Sequence, residues 1–251
     1  MCGKTIFIVS LALLLGLATG AARADMMAWY QFEGNANDSA GGNHGSLMGD
    51  AAFAPGLTPL GQALSLDGDG DYVSLPTPFV SVTGSPTKSI MAWVKPDSAY
   101  NYGRVLTLYR RPDGSSAFAI LDTNSNPSEW GGLYMTGPST YAWINSGVFL
   151  AANDWTHLAL VQDNNNIFVY VNGALVKSAG NAGVPYISNP LNAVIGAYLS
   201  PSINGGYFDG LIDDVRIYDN ALSQNDIRAV MPEPAALLLF GLGAVTLRRK
   251  R

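Results

Sequence analysis

The chain of 251 residues has little cysteine and little charge. Its one cysteine, Cys2, lies in an N-terminal apolar segment, so the rest of the chain has neither disulfides nor thiolate metal sites. Charged residues make up 13% of the sequence and hydrophobic residues 48%. Intrinsic disorder requires few apolar residues, and a coiled coil requires abundant Ala, Glu, Lys, Leu and Arg, so the composition excludes both.

The first 24 residues have the three parts of a secretory signal. Lys4 supplies a positive start, residues 6–20 are almost all apolar, and Ala22-Arg23-Ala24 is a small-x-small cleavage site. A membrane helix is the alternative, but the apolar run is short for one. We therefore expect residues 1–24 to be a signal peptide and the protein to be exported.

The C-terminal end has a second tripartite segment. Pro232-Glu233-Pro234 is followed by an apolar run over 235–247 and then by Arg248-Arg249-Lys250-Arg251. As a helix this run would rise about 20 Å, less than the hydrocarbon core of about 30 Å, so it would anchor only with snorkelling arginines or local thinning. By the positive-inside rule the basic end would stay cytoplasmic.

This order of features resembles the PEP-CTERM sorting signal of Gram-negative bacteria. The resemblance implies that an exosortase-type enzyme acts on residues 232–251, after a transient inner-membrane anchoring by 235–247. The protein would then be at the cell surface or released. A plain tail anchor is the alternative.

Residues 25–231 remain as the body, which we expect to be one domain. It has eight basic and eighteen acidic residues, a net charge of −10. A nucleic-acid-binding protein needs a basic face, so this partner is excluded. The acidic balance instead favours a cation such as calcium.

The body is poor in the helix formers Glu and Lys and rich in the turn formers Asn and Gly. Short runs of Val, Ile, Tyr and Phe between turn clusters are typical of a β-sandwich or barrel. Asn172-Gly173 predicts a type I′ hairpin between 167–171 and 174–176. Ser223 with Asp226 predicts a short capped helix over 223–230. The predicted strands are 63–66, 72–75, 89–94, 104–109, 117–121, 156–162, 167–171, 174–177, 192–197 and 211–218.

Several sequence landmarks occur in a characteristic order. They are WYQFEGNANDS at 29–39 with GNHG at 42–45, ALSLDGDGDYV at 63–73, IMAWV at 90–94, WTHLALV at 155–161 with YVNG at 170–173, and GLIDDVRIY at 210–218 with ALS at 221–223. Together they resemble laminin G-like, concanavalin A-like jelly-roll domains. The resemblance implies an all-β, two-sheet antiparallel sandwich, a fold that includes lectins, hydrolases and adhesive modules.

Catalytic residues are hard to find in the body. Retaining glucanases of this fold use two closely spaced glutamates, whereas the body has only Glu33 and Glu129, far apart in sequence. Neither His44 nor His157 lies in a serine-elbow context. We therefore expect no enzyme, with an aspartate-dependent polysaccharide hydrolase or lyase as the weaker alternative.

The aspartates are better candidates for binding metal. Asp67-Gly-Asp-Gly-Asp71 resembles the start of an EF-hand loop, but Tyr72 and Pro78 occupy the positions of the required Gly and Glu. A tight turn is the simpler interpretation, and a looser cation site stays open.

Strand alternation over 211–218 puts Asp213 on the same face as Leu211, Val215 and Ile217, so its carboxylate would point inward or to the sheet's end. In related jelly-rolls the first and last strands are neighbours, which would bring Asp38 close. We therefore predict a structural calcium held by Asp38, Asp213, Asn43 and the carbonyl of His44. Alternatively, Asp38 caps its own turn and Asp213 accepts backbone N–H bonds.

Two tryptophans lie in Gly- and Pro-interrupted segments. Trp130 and Trp143, with Tyr100, Tyr102 and Tyr141, would form an exposed aromatic surface that stacks on sugar rings. Additional core for the second sheet is the alternative.

These observations predict a secreted or cell-surface, non-catalytic binding module for a glycan or extracellular polymer, stabilised by calcium. The alternative is an adhesive or structural surface protein that binds another protein.

Overall fold

The computed structural model describes residues 26–58, 61–76, 87–99, 103–109, 116–122, 129–136, 140–180, 193–199 and 204–231. The predicted signal peptide and sorting tail, and with them Tyr100 and Tyr102, lie outside the described residues. No helix within the described ranges has the length and apolar character needed to cross a membrane.

The described chain is built almost entirely from β-strands, with one short helix near its end. The strands are β1 (Met26–Tyr30), β2 (Ser46–Met48), β3 (Ala52–Pro55), β4 (Gln62–Asp67), β5 (Tyr72–Ser74), β6 (Thr87–Pro96), β7 (Arg104–Tyr109), β8 (Ser116–Asp122), β9 (Glu129–Met135), β10 (Tyr141–Phe149), β11 (Thr156–Asp163), β12 (Asn166–Val171), β13 (Ala174–Ala179), β14 (Ala193–Ile195), β15 (Tyr198–Leu199), β16 (Asn204–Gly205) and β17 (Asp209–Tyr218). The helix α1 covers Gln224–Ala229.

The strands form two antiparallel sheets. The first sheet has the order β13-β12-β11-β6-β17-β4-β3, and β1 also pairs with β17. The second sheet has the order β10-β9-β8-β7-β14-β5-β2, and β15 and β16 form a separate small hairpin. The expected all-β sandwich is confirmed, as is the pairing of the first and last strands.

The main core lies between the two sheets. Alternate residues of each strand point inward, such as Ile90 and Val94 of β6 and Leu158 and Leu160 of β11. Gly132 in β9 permits a close approach of the sheets, because a Cβ there would lie 2.6 Å from Cδ1 of Leu160.

The outer face of the first sheet is covered by α1. Ile227 of the helix packs with Met91, Ala159, Tyr170 and Tyr218 in a second apolar cluster. Ser223 caps the helix: its hydroxyl accepts from the backbone N–H of Asp226, and the Asp226 carboxylate accepts from the backbone N–H of Ser223. The predicted capped helix is therefore confirmed.

The ten predicted strands are all present, with bounds that differ from the prediction by at most two residues. The predicted hairpin is also confirmed, since Asn172 and Gly173 have φ of 48° and 69° between β12 and β13. β1, β2, β3, β9, β10, β15 and β16 were not among the predicted strands. Each of the seven is short, exposed or interrupted by glycine.

The predicted alternation along β17 is wrong at one point. The register shifts between Asp213 and Arg216, and Asp214 has a φ of 50°, which marks a β-bulge. Ile212, Val215 and Ile217 therefore all point into the core. Asp213 pairs with Trp93 on the outer face instead of lying on the same face as Val215 and Ile217.

Candidate functional site

Asp38 is buried in the turn that follows β1. Its carboxylate accepts the backbone N–H groups of Trp29, Ala40 and Asn43 at 2.9, 2.9 and 3.1 Å, and the Asn43 amide at 3.4 Å. The imidazole Nδ1 of His44 accepts from the backbone N–H of Asp38 at 3.2 Å. Asp38 thus caps its own turn, and its oxygens already have four donors.

Asp213 is 7% exposed and also accepts backbone donors. Leu57 donates to Oδ2 at 3.2 Å and Asp214 to Oδ1 at 2.7 Å. Burial nevertheless raises the pKa of this carboxyl to about 7, helped by the nearby charges of Asp214 and Glu33 and opposed by the two N–H groups. Both aspartates of the predicted calcium site are therefore held by backbone N–H groups in separate hydrogen-bond networks.

A different acidic group is drawn together beside β5. Carboxylate oxygens of Asp50, Asp67 and Asp71 lie within 4.8 Å of one another, the one such group of His, Cys, Asp or Glu ligand atoms in the described part of the chain. Asp71 is 2% exposed and accepts from the backbone N–H of Asp50 at 2.8 Å. The sequence motif Asp67–Asp71 pointed to two of the three, whereas Asp50 joins them through the pairing of β2 with β5.

The prediction that Trp130 belongs to an exposed aromatic surface is wrong. Its side chain is 2% exposed and packs edge-on to Phe208, with ring centroids 5.9 Å apart. Trp130 lies on the face of β9 that points into the sandwich. Trp130 instead contributes to the core on the side of the second sheet, which was the alternative interpretation.

Tyr141 and Trp143 are exposed, as predicted. They are 57% and 42% exposed on β10, the edge strand of the second sheet, while the next residue, Ile144, is buried on the opposite face of the strand. Both therefore lie on the outer face, two residues apart along the strand. We call these two rings the aromatic face.

Polar groups border the aromatic face. The guanidinium of Arg104 lies 5.5 Å from the Trp143 ring centroid and 5.3 Å from that of Tyr198. Two residues beyond Trp143 along β10, Asn145 donates its amide to Oε2 of Glu129 at 3.1 Å. A ligand with apolar faces and polar rims suits this surface, because two flat apolar rings lie beside a cation and an amide–carboxylate pair.

A polar row runs across the outer face of the first sheet. The register places Asp213, Trp93 and His157 next to one another on β17, β6 and β11. Trp93 and His157 lie edge to face, with ring centroids 5.3 Å apart. Burial, with a smaller contribution from Arg216, lowers the pKa of His157 to about 4, so the imidazole is neutral. This row could not be predicted from the sequence, because strict alternation along β17 ignores the bulge and assigns Asp213 to the inner face.

A family model described as "Concanavalin A-like lectin/glucanases superfamily" matches residues 67–228. No curated protein sequence matches the chain. Among solved structures the chain is similar to domain 4 of AbnA, a GH43 extracellular arabinanase from Geobacillus stearothermophilus, in complex with arabinotriose. That match has 25% identity and a TM-score of 0.65, and it covers 82% of this chain and 98% of the other.

Two toxin domains are also similar. One is the receptor binding domain of botulinum neurotoxin C/D mosaic serotype, with 17% identity and a TM-score of 0.61. The other is the binding domain of Paraclostridial Mosquitocidal Protein 1, with 11% identity and a TM-score of 0.64. Each match covers 82% of this chain and about half of the toxin domain, 50% and 51%. At these identities the likeness concerns the fold alone.

Proposed function

Because the chain belongs to the concanavalin A-like lectin/glucanases superfamily, we propose that it is a non-catalytic module that binds a glycan or another extracellular polymer through its aromatic face. The observation that carries the proposal is the exposure of Tyr141 and Trp143 on one face of an edge strand. Stacking on a sugar ring would cover apolar ring surface that otherwise contacts water. The similar arabinanase domain, solved with arabinotriose, supports a carbohydrate as the ligand class.

We expect Trp143→Ala to weaken glycan binding at least about tenfold, because a central aromatic contact carries a large share of the binding energy in a small site. Tyr141→Ala should weaken it less, since this ring is the more exposed of the two. The measurement is a glycan array with and without calcium, followed by calorimetry on the best ligand and on arabinotriose.

The matched control is Phe149→Ala, which removes another exposed aromatic side chain of β10 at the far end of the strand. It should leave glycan affinity unchanged. Equal binding by wild-type protein and Trp143→Ala would refute the aromatic face as the site.

The absence of catalysis is part of the proposal. Glu33 and Glu129 are the two glutamates of residues 25–231. They accept hydrogen bonds near β4 and β10, which belong to opposite sheets, and so do not form a glucanase pair.

Export by residues 1–24 and sorting by 232–251 are also proposed, on the sequence features alone. An N-terminus at Asp25 and a C-terminus before residue 235 in the exported form would support both.

A protein partner is the second candidate function. The similar toxin domains are receptor-binding or binding domains. Phe149 and Leu175, 53% and 46% exposed, lie on the contacting edge strands β10 and β13 of the two sheets. Capture of a purified surface protein that Phe149→Ala abolishes, without any glycan binding, would favour this function.

Calcium as a stabiliser of the fold is likewise a proposal. We expect calcium added to the EDTA-stripped protein to release heat and to raise the melting temperature, because binding to the folded state alone stabilises it. Asp71→Asn should reduce both effects if the ion lies at Asp50, Asp67 and Asp71, and Asp38→Asn if it lies at the predicted ligands. If calcium produces neither heat nor a change in melting temperature, the protein does not bind it.

A further inference from the structure

A cleft of about 260 Å³ lies over the outer face of the first sheet, on the opposite side of the sandwich from the aromatic face. Its floor is the bulged part of β17, with Asp213, Asp214 and Arg216. Glu33 lines one side, and residues 230–231, which follow α1, line the other. Sites for drug-sized ligands begin at about 300 Å³, so this cleft suits a smaller molecule.

The cleft has more negative than positive groups. Arg216, its one cation among the described residues, is held by Asp214, with Nε 3.0 Å from Oδ1, and lies over the Trp29 ring at 4.7 Å. The Trp29 indole also donates to Asp214. Arg216 and Asp214 therefore neutralise each other, and Glu33 and Asp213 are left without a salt bridge to any described residue.

Two buried polar side chains lie on the strands beside the cleft residue Asp213. Trp93 and His157 lie in register beside Asp213 and are 8% and 2% exposed. The indole Nε1 of Trp93 and the imidazole Nδ1 of His157 are buried without a hydrogen-bond partner. Buried polar groups almost always have a partner, so two orphans next to an open cleft indicate that water or a ligand completes their hydrogen bonds.

We propose that this cleft is a second ligand site for a small hydroxylated primary ammonium compound, of the kind found in an amino sugar or an ethanolamine headgroup. An ammonium group has three N–H donors and no acceptor, which matches the carboxylate oxygens of Glu33 and Asp213. Neighbouring hydroxyls find acceptors and donors in Asp214 and the Gln31 amide, and Val230 and Met231 cover the carbon skeleton. The net charge of the body favours the same sign of ligand.

The test uses the full-length chain and the indole N–H signals of its five tryptophans in ¹H–¹⁵N NMR spectra, assigned with Trp→Phe variants. Ethanolamine and glucosamine are titrated separately, each against its neutral N-acetyl derivative. We expect the signals of Trp29 and Trp93 to shift with both amines, with dissociation constants on the order of millimolar for such small ligands. The signal of Trp143 should not move.

Two variants test whether the ligand binds between Glu33 and Asp213. Glu33→Gln changes an exposed side chain and should weaken binding about tenfold or more by removing one charge partner. Asp213→Asn should do the same, and Trp143→Ala should have no effect.

Binding of glucosamine alone would identify the ligand as an amino sugar, and binding of ethanolamine alone would identify it as a headgroup. Either result would support the site. Equal binding of the N-acetyl derivatives would overturn the ammonium class. Unmoved Trp29 and Trp93 signals, or unchanged affinity in Glu33→Gln, would overturn the site itself. Each of these outcomes is independent of glycan binding at the aromatic face, which the Trp143 signal reports.

Discussion

Trp130→Ala is expected to lower the free energy of unfolding by about 3–5 kcal/mol, because it removes a large ring from a closed core and leaves a cavity. The ring is 2% exposed, projects from the second sheet into the core between the sheets and packs against Phe208. For a domain of this size the loss corresponds to a melting temperature about 10 °C lower. Urea unfolding followed by circular dichroism measures it.

Trp143→Ala is the matched control. It makes the same chemical change on the adjacent strand, but at a side chain that is 42% exposed. Its effect on stability should stay within about 1 kcal/mol. Equal destabilisation by the two substitutions would contradict the inward and outward orientations, and with them the proposed binding face.

As the pH rises from 4 to 7, the Asp213 carboxyl alone should lower the free energy of unfolding by as much as about 4 kcal/mol. Burial raises the pKa of this carboxyl to about 7 in the folded protein, whereas in the unfolded chain it has its ordinary value. Between these two pKa values the folded state binds the proton more strongly. Raising the pH removes that proton and leaves a buried charge, so the folded state loses stability. Above pH 7 no further change is expected from this group.

Asp213→Asn should remove this fall from the pH profile, so that the stability difference between wild type and variant changes between pH 4 and 7, because an amide cannot ionise. At low pH the variant should be somewhat less stable than the wild type, since its single oxygen cannot accept from both Leu57 and Asp214. At pH 8 the difference should shrink or change sign. His157, with a pKa lowered to about 4, acts in the opposite direction below pH 6.5, but it does so in both proteins and cancels in the difference. Parallel pH profiles for the two proteins would refute the raised pKa.

Much of the fold could be predicted because its signals are local. Ile167–Val171 and Ala174–Ala179 flank an Asn-Gly turn, so the residues of this segment specify a hairpin by themselves. The Ser223–Asp226 capping box likewise depends on residues three apart. The strands that were missed, such as β9 with Gly131 and Gly132, lack the β-branched run that identifies a strand from its own residues.

The candidate site was only partly predictable. Trp143 and Tyr141 were expected at the surface, and their phase can be read from Ile144 and Val148, which alternate with them in β10. Trp130 was assigned to the same surface because a tryptophan beside glycines looks alike in sequence whether its strand turns it inward or outward. Only the register of β9 against β10 and β8 gives its direction.

The sequence alone determined the fold class, the acidic body without cysteine and the main hairpin and helix, because composition and short-range periodicity act within a few residues. The tertiary structure decided which groups meet. A single extra residue at the β17 bulge moved Asp213 to the outer face, next to Trp93 and His157, and strand pairing brought Asp50 to Asp67 and Asp71. Such neighbours are set by the register of strands distant in sequence, since a shift of one residue exchanges the two faces of a strand.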